Sequence, residues 1–261
     1  MDVLTPRTLD EALHLRAERP GVVPIQGGTD LMVDLNFDRR RPEAVINLNE
    51  VRELRGWSRE NGSLRLASGL TYAEIEHSEL ATLLPALAEA SRTVGSPQIR
   101  NRGTIGGNLG TASPAGDALP PLLVEGAEVE LASVRGSRRL ALADFLVGPK
   151  RNALADDELI VAVHVDPSGA PQTFMKVGPR NAMVIAVCSL ALSVDRERNA
   201  ARAAFGSAAP VATLVTGELD GFADSVAAAA SPIDDVRGTA AYRRHALRVL
   251  ALRALDRCMA A

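Results

Sequence analysis

Residues Ile25–Leu31 read IQGGTDL and residues Thr104–Asp117 read TIGGNLGTASPAGD, and the meaning of these two glycine-rich stretches decides what fold the rest of the chain must supply. The first follows the apolar run GVVPI, which reads as a short buried strand entering a glycine turn. Adjacent glycines, lacking Cβ, let the backbone approach a ligand closely, and successive amide N–H groups in such a turn form a concavity for an anion. Thr29 and Asp30 add a hydroxyl donor and a carboxylate that caps the turn. A diphosphate suits such a cradle, although one glycine pair after a strand is more often a plain turn. The second stretch repeats threonine, paired glycines and an amide over Thr104, Ile105, Gly106, Gly107 and Asn108, then adds Ser113 and Asp117. A carboxylate beyond a diphosphate-binding loop is placed to accept from sugar hydroxyls; the alternative is that Asp117 caps a helix over 119–123. Neither stretch matches G-x-G-x-x-G or a phosphate loop with its lysine, so a dinucleotide-binding Rossmann unit and a nucleotide hydrolase are disfavoured.

Outward from the first loop, Leu9, Ala12 and Leu13 lie at helical spacing before the strand, and AVINLNEV from Ala44 is a further strand, giving a small α/β unit over 1–55. SLRLASGLTY from Ser63 reads as a strand, Ala73–Leu80 and the run from Leu83 as short helices, and QIRNRGTIGGNLGTASPAGD as a long irregular loop. PLLVEGAEVELASV, RRLALADFL and LIVAVHV alternate as strands of a mainly antiparallel sheet, closing a second unit over 56–168. A third, over 169–261, holds further strands and a terminal helix with Tyr242, Ala246, Val249, Leu250, Leu252 and Leu255 on its packed face and arginines on the other.

At 261 residues, 46% of them hydrophobic, the chain can bury a substantial core. A formal net charge of -3 with no dense basic tract gives no footprint for nucleic acid. No apolar run reaches a membrane span and the start has no secretory pattern, so a cytoplasmic protein without a membrane partner is expected. Cys188 and Cys258 are too few and too far apart for an iron–sulfur centre or a structural zinc, and Cys188 sits in the apolar run MVIAVCSLAL as a small buried hydrophobe. His14, His77, His164 and His245 form no metal-spaced pair, so no metal site is assigned. All of the 29 Lys+Arg residues except Lys150 and Lys176 are arginine, which draws attention to the two positions that keep a compact ammonium.

IQGGTDL followed by VGSPQIRNRGTIGGNLGTASPAGD, and then ALADDELIVAVHV, FMKVGPRNAMVIAV and DDVRGTAAYRRHAL in the same order, resembles the FAD subunit of molybdenum hydroxylases of the xanthine and carbon monoxide dehydrogenase type. The resemblance covers nearly the whole chain. It implies an α+β fold with two FAD-binding subdomains, of the kind shared with vanillyl-alcohol oxidase (PCMH type), and a small C-terminal α+β domain. Ile25, Gln26, Gly27, Gly28, Thr29, Asp30, Leu31 and Met32 would form one diphosphate loop and Thr104–Asn108 the other, with Ser113 and Asp117 beside them. Asp117 would hold a sugar-chain hydroxyl, the Ile160 amide would face the flavin ring with Lys176 nearby, and Val94 would be a packing contact. Lys176 has an equal alternative as a structural salt bridge. No catalytic acid or base is implied, because the cofactor carries the chemistry. The implied partners are a molybdopterin-binding large subunit and an iron–sulfur small subunit, which would hold those groups, and the implied function is an FAD-dependent oxidoreductase subunit passing electrons from the partner's clusters to an external acceptor. Gln26 stands where the family commonly has a small apolar residue, which leaves the backbone cradle intact, and GELDGFADSVAAAASPIDD is shorter than the family's usual connection, which puts docking to the usual partners in question and keeps a stand-alone oxidoreductase in view; a flavin-free scaffold is a third reading, against which both intact glycine loops stand.

Overall fold

The computed structural model describes residues 1–261. Its first fifty residues form β1 (Asp2–Leu4), α1 (Leu9–Glu18), β2 (Val23–Ile25), α2 (Leu31–Asn36) and β3 (Ala44–Asn47). The three strands are parallel, in the order β1-β3-β2. Thr8 starts α1 by accepting the Glu11 amide on its hydroxyl. The middle strand β3 buries Ala44, Val45 and Ile46 in succession, as a strand covered on both faces must. The IQGGTDL turn leaves the carboxyl end of β2, the side of a parallel sheet where ligands characteristically bind.

The middle of the chain is built on a five-stranded antiparallel sheet. After β4 (Trp57–Glu60) and β5 (Ser63–Ala67) come the helices α3 (Tyr72–His77), α4 (Leu80–Leu83), α5 (Pro85–Arg92), α6 (Pro97–Arg100), α7 (Ile105–Thr111) and α8 (Leu119–Val124). Then β6 (Glu128–Ser133), β7 (Gly136–Ala141), α9 (Leu142–Phe145), the hairpin β8 (Leu146–Gly148) and β9 (Arg151–Asn152), and β10 (Leu159–Val165) complete it, with strand order β4-β5-β10-β6-β7. Its core holds 32 buried residues, and Phe174, Ala191, Ala204 and Ala212 from beyond residue 168 belong to it, so the core continues into the third part of the chain.

Two sequence expectations change here. Residues 97–111 are not irregular: Ser96 and Thr104 each accept an amide at the start of α6 and α7, and Pro97 is preset for a first helical turn. Polar caps, rather than an apolar period, make these helices, which is why periodicity misses them. The stretch PLLVEGAEVELASV from Pro121 is not strand throughout: its start belongs to α8, where Pro120 and Pro121 suit a helix start, and only Glu128–Ser133 forms strand β6.

β11 (Gln172–Val177), β12 (Cys188–Asp195), β13 (Ala200–Gly206) and β14 (Thr213–Glu218) form an antiparallel meander covered by α10 (Phe222–Ala229) and α11 (Ala240–Ala260). The buried face of α11 is Arg243, Ala246, Leu247, Leu250, Ala251, Ala254 and Cys258, turned from the expected one, so that Tyr242 and Leu252 are exposed. A buried cation causes the turn: Arg243 pairs with Asp235 and donates to the Ser207 carbonyl at 2.7 Å, which satisfies a group that periodicity assigns to solvent. Cys188 is fully buried, and burial pushes its thiol up to about 12, in keeping with an inert hydrophobe. No helix is long and apolar enough to cross a membrane.

Candidate functional site

Between the parallel sheet and the five-stranded sheet lies a cleft of about 510 Å³ whose wall includes Ile25, Gln26, Gly27, Gly28, Thr29, Asp30 and Leu31 from the first loop and Thr104, Gly106, Gly107 and Asn108 from the second. Ser113, Asp117 and Ile160 also line it. Three of the expected residues stand apart from this wall. Met32 is on the exposed side of α2, Ile105 is wholly buried in the core, and Lys176 reaches the site only through Asp117.

The first loop keeps its donors open. The amides of Gly27, Gly28, Thr29 and Asp30 have no partner within the chain, while the loop is fastened from behind by Arg102 and Asn49, which both donate to the Gln26 carbonyl at 3.2 and 3.0 Å. A Cβ on Gly27 would sit 2.2 Å from the Arg102 carbonyl oxygen, and Gly28 holds φ +74°, so both positions require glycine. The Asp30 carboxylate, expected to cap its own turn, makes no capping bond at the start of α2 and instead accepts the Thr111 hydroxyl at 3.2 Å, tying the first loop to the end of α7. The Gln26 side chain is seated on Gly69, where any Cβ would collide with Nε2, so the long residue is accommodated away from the open amides.

The second loop has spent its donors. Ile105 and Gly106 donate to the Leu70 and Ser68 carbonyls, Gly107 to the Thr104 hydroxyl and Asn108 to the Thr104 carbonyl. What it offers the cleft is a Cβ-free surface at Gly107 and the side chain of Asn108. A Cβ on Gly107 would meet only Thr104 Oγ1, at 3.1 Å, whereas one on Gly106 would run into Ser68 at 2.5 Å.

Asp117 is buried and does not cap α8, whose N-cap position is Ala118 without a side-chain hydrogen bond. Its Oδ2 accepts from Lys176 Nζ at 2.5 Å and from the Thr93 hydroxyl at 3.3 Å, and the ammonium donates also to the Thr93 carbonyl at 3.2 Å. Of the two possibilities held open for Lys176, the salt bridge is the one the fold makes, and its partner carboxylate is on the cleft wall. Burial pushes the Asp117 carboxyl up to about 6 against the opposing pull of Lys176 and Thr93. Its other oxygen, Oδ1, has no partner, and neither do the buried Asn108 Oδ1 and Ser68 Oγ. All three residues line the cleft. Unpaired buried acceptors cost free energy unless a ligand supplies donors. Lys150, the other lysine, is exposed at the β8–β9 turn.

Apolar walls complete the site. Ile160 lies where β10 bulges against β6, with its Cδ1 over Gly110. Val94, expected as a packing contact, is on the wall, as are Tyr72, Ile99, Leu154, Val184 and Ile185, which sequence reading leaves out. Burial, then the Asp117 charge, holds the Tyr72 hydroxyl well above the usual phenol range. Arg180 orders its own turn by donating to the Ala182 and Met183 carbonyls. These residues carry no motif; only the tertiary fold brings them to the cleft. Among the side chains of the chain there is no cluster suited to a metal ion.

Free amides at one place, orphaned acceptors at another and apolar walls between them suit a ligand with a diphosphate, sugar hydroxyls and a flat apolar ring. FAD has those parts in one molecule. Residues 1–168 match the family described as "FAD binding domain in molybdopterin dehydrogenase". The chain is 38% identical over 204 residues to the nicotinate dehydrogenase FAD-subunit of Eubacterium barkeri, spanning 74% of this chain and 69% of that protein. It is 30% identical over 275 residues to the xanthine dehydrogenase FAD-binding subunit of Escherichia coli O157:H7, spanning 97% and 94%. Reconstituted CO dehydrogenase from Oligotropha carboxidovorans contains a chain of the same fold, with a TM-score of 0.93, 26% identity, and coverage of 100% and 98%.

Proposed function

Because the chain belongs to the FAD-binding family of the molybdopterin dehydrogenases, we propose that its cleft holds FAD and that it works as the electron-transfer subunit of a molybdenum-containing dehydrogenase. The observation that carries the reading is the division of labour in the cleft: open amides at Gly27–Asp30 for a diphosphate, and unpaired acceptors at Ser68, Asn108 and Asp117 for hydroxyl groups. When bound, the flavin supplies the redox chemistry, taking up electrons and passing them on.

The chain's own residues bind, orient and enclose. The Gly27–Asp30 amides hold the diphosphate, Thr29 adds a hydroxyl, and Gly107 leaves room for the close approach of the sugar chain. Asn108 and Asp117 take sugar-chain hydroxyls, with Ser113 beside them. Lys176, through its 2.5 Å pair, keeps Asp117 ionised and fixed. Ile160, Val94, Leu154 and Ile185 exclude water from the ring. Leu31 and Met32 carry the first loop into α2, and Ile105 anchors the second in the core. No catalytic acid or base belongs to this chain.

We also propose a division into 1–55, 56–168 and 169–261, with the first two parts forming a vanillyl-alcohol-oxidase-like (PCMH) FAD unit and the third a C-terminal sheet-and-helix domain that shares the core of the second. Docking to a molybdopterin-binding large subunit and an iron–sulfur small subunit is part of the same proposal, in line with relatives described as dehydrogenase subunits. The test is to record the visible absorption spectrum of the purified chain with and without added FAD. A flavin spectrum at near-equimolar occupancy supports the reading. A folded, colourless chain that ignores FAD overturns it.

A further inference from the structure

The cleft wall carries three carboxylates, Asp30, Asp34 and Asp117, and a single cation, Arg40. That balance is unfavourable for a diphosphate, since the amides of the first loop offer only partial charges. Arg40 belongs to the run FDRRRP at residues 37–42, which follows α2. Its two arginine neighbours are engaged: Arg39 stacks over the Phe37 ring at 5.1 Å from the centroid, and Arg41 pairs with Asp38. Arg40 makes no ion pair and no hydrogen bond within the chain, and it is exposed.

Its position follows from the backbone. Asp38 holds φ +55°, a left-handed conformation that aspartate tolerates better than most residues. The Asp38 and Arg39 amides donate back to the Leu35 and Asp34 carbonyls, the latter at 2.8 Å, which ends α2 and reverses the chain toward the cleft. Arg40 also stands close enough to the half-buried Arg16 for the two cations to repel. Arg16 is held below its usual range by burial, against the pull of Asp156 and Asp157, with Arg40 adding a smaller push. An unpaired guanidinium at the rim of a cleft with open amides is a place for an anion.

We propose that Arg40 binds the diphosphate of the flavin dinucleotide and supplies the one full positive charge on the cleft wall. This rests on the FAD reading of the cleft and adds to it a residue outside both glycine motifs. A guanidinium can grip phosphate oxygens in pairs, so arginine serves here better than lysine.

The test is FAD titration, followed by flavin fluorescence, of the wild-type chain and of Arg40→Ala, Arg40→Lys and Arg40→Glu, at about 50 mM and about 500 mM salt, which changes the screening length severalfold. Arg40 is exposed and unpaired, so the variants should keep the wild-type melting temperature without ligand. At low salt Arg40→Ala should bind FAD about tenfold more weakly, the loss of one charge-assisted contact at an exposed site. Arg40→Lys should recover part of this, Arg40→Glu should be weaker than Arg40→Ala, and high salt should narrow the gap. Riboflavin, which has no phosphate, should bind all four chains alike. Equal FAD affinity of wild type and Arg40→Ala at low salt overturns the assignment and leaves the FAD reading standing. A riboflavin loss equal to the FAD loss also overturns it, because Arg40 would then act away from the diphosphate. A wild-type chain that binds no FAD ends both.

Discussion

IQGGTD and TIGGN are near-copies in sequence and opposites in hydrogen bonding. In the first, four successive amides from Gly27 to Asp30 are free; in the second, every amide from Ile105 to Asn108 is taken by Ser68, Leu70 or Thr104. The residue that makes the difference is the threonine before the second pair. Thr104 takes the N-cap geometry and starts a helix at once, whereas Gly28, at φ +74°, postpones the helix until Leu31. A paired-glycine motif therefore does not by itself mark an anion site. What matters is whether a cap has already consumed the donors.

The largest effect is expected behind the second loop. Lys176→Met would leave the buried Asp117 without its cation and should cost about 3–5 kcal/mol of stability, measured by denaturant unfolding of the chain without flavin. Little change would mean that Asp117 does not depend on the pair. Next, Gly27→Ala puts a methyl 2.2 Å from the Arg102 carbonyl, which must move. A loss of about 1–3 kcal/mol is expected from such overpacking, together with loss of flavin, and the two together would show that the first loop's shape is what binds. Gly107→Val should separate the loops most cleanly. It should cost less stability than Gly27→Ala, since the added Cβ meets only the Thr104 hydroxyl, at 3.1 Å, yet weaken FAD about tenfold or more by filling the approach to the cleft. A variant that binds FAD at full affinity would remove the second loop from the site. Gly106→Val is a poorer probe, because its side chain would be driven into Ser68 and would disturb the fold itself.

The smallest effect is a pH dependence, and its sign differs between two regions. Asp117 has a folded pKa of about 6 against an ordinary 3.8, so within that window the native chain holds a proton that the unfolded chain has lost. Its contribution to stability therefore falls as pH rises through the window. FAD affinity should move the other way if the ionised carboxylate is what takes a sugar hydroxyl: up to about tenfold weaker at one unit below the pKa than well above it. Asp235, under α11, has the opposite sign. Burial works against it, but the Arg237 amide and the Arg243 and Arg237 guanidiniums hold its carboxyl well below the usual range. That stability is present above 3.8 and is lost as pH falls further. Unfolding curves of wild type and of the double variant Asp117→Asn/Lys176→Met from acid to neutral pH would separate the two regions.

Much of the frame was legible in the chain. The strands at Val23–Ile25, Ala44–Asn47 and Ser63–Ala67 announce themselves as short apolar or alternating runs between turns, and both loops stand out by composition. What sequence could not show has specific causes. β4 is polar and mostly exposed, so no alternation marks it. α6 and α7 depend on the caps Ser96 and Thr104 rather than on an apolar face. α11 is turned by the buried Arg243, a charge that any periodicity argument sends to solvent. In the cleft, the motif residues could be named beforehand, but Tyr72, Ile99, Leu154 and the pair Val184 and Ile185 come from four separate segments that meet only in the folded chain. Arg40 was hidden for another reason: in a run of three arginines, only the neighbours' partners reveal which one is free.

The contrast between the loops is tested most directly by residue-resolved amide NMR of the isotopically labelled chain as FAD is added. Large shifts and slowed exchange are expected at Gly27, Gly28, Thr29 and Asp30, with the amides of Ile105 and Gly106 nearly unmoved. Strong response at Ile105 and Gly106 with silence in the first loop would contradict it.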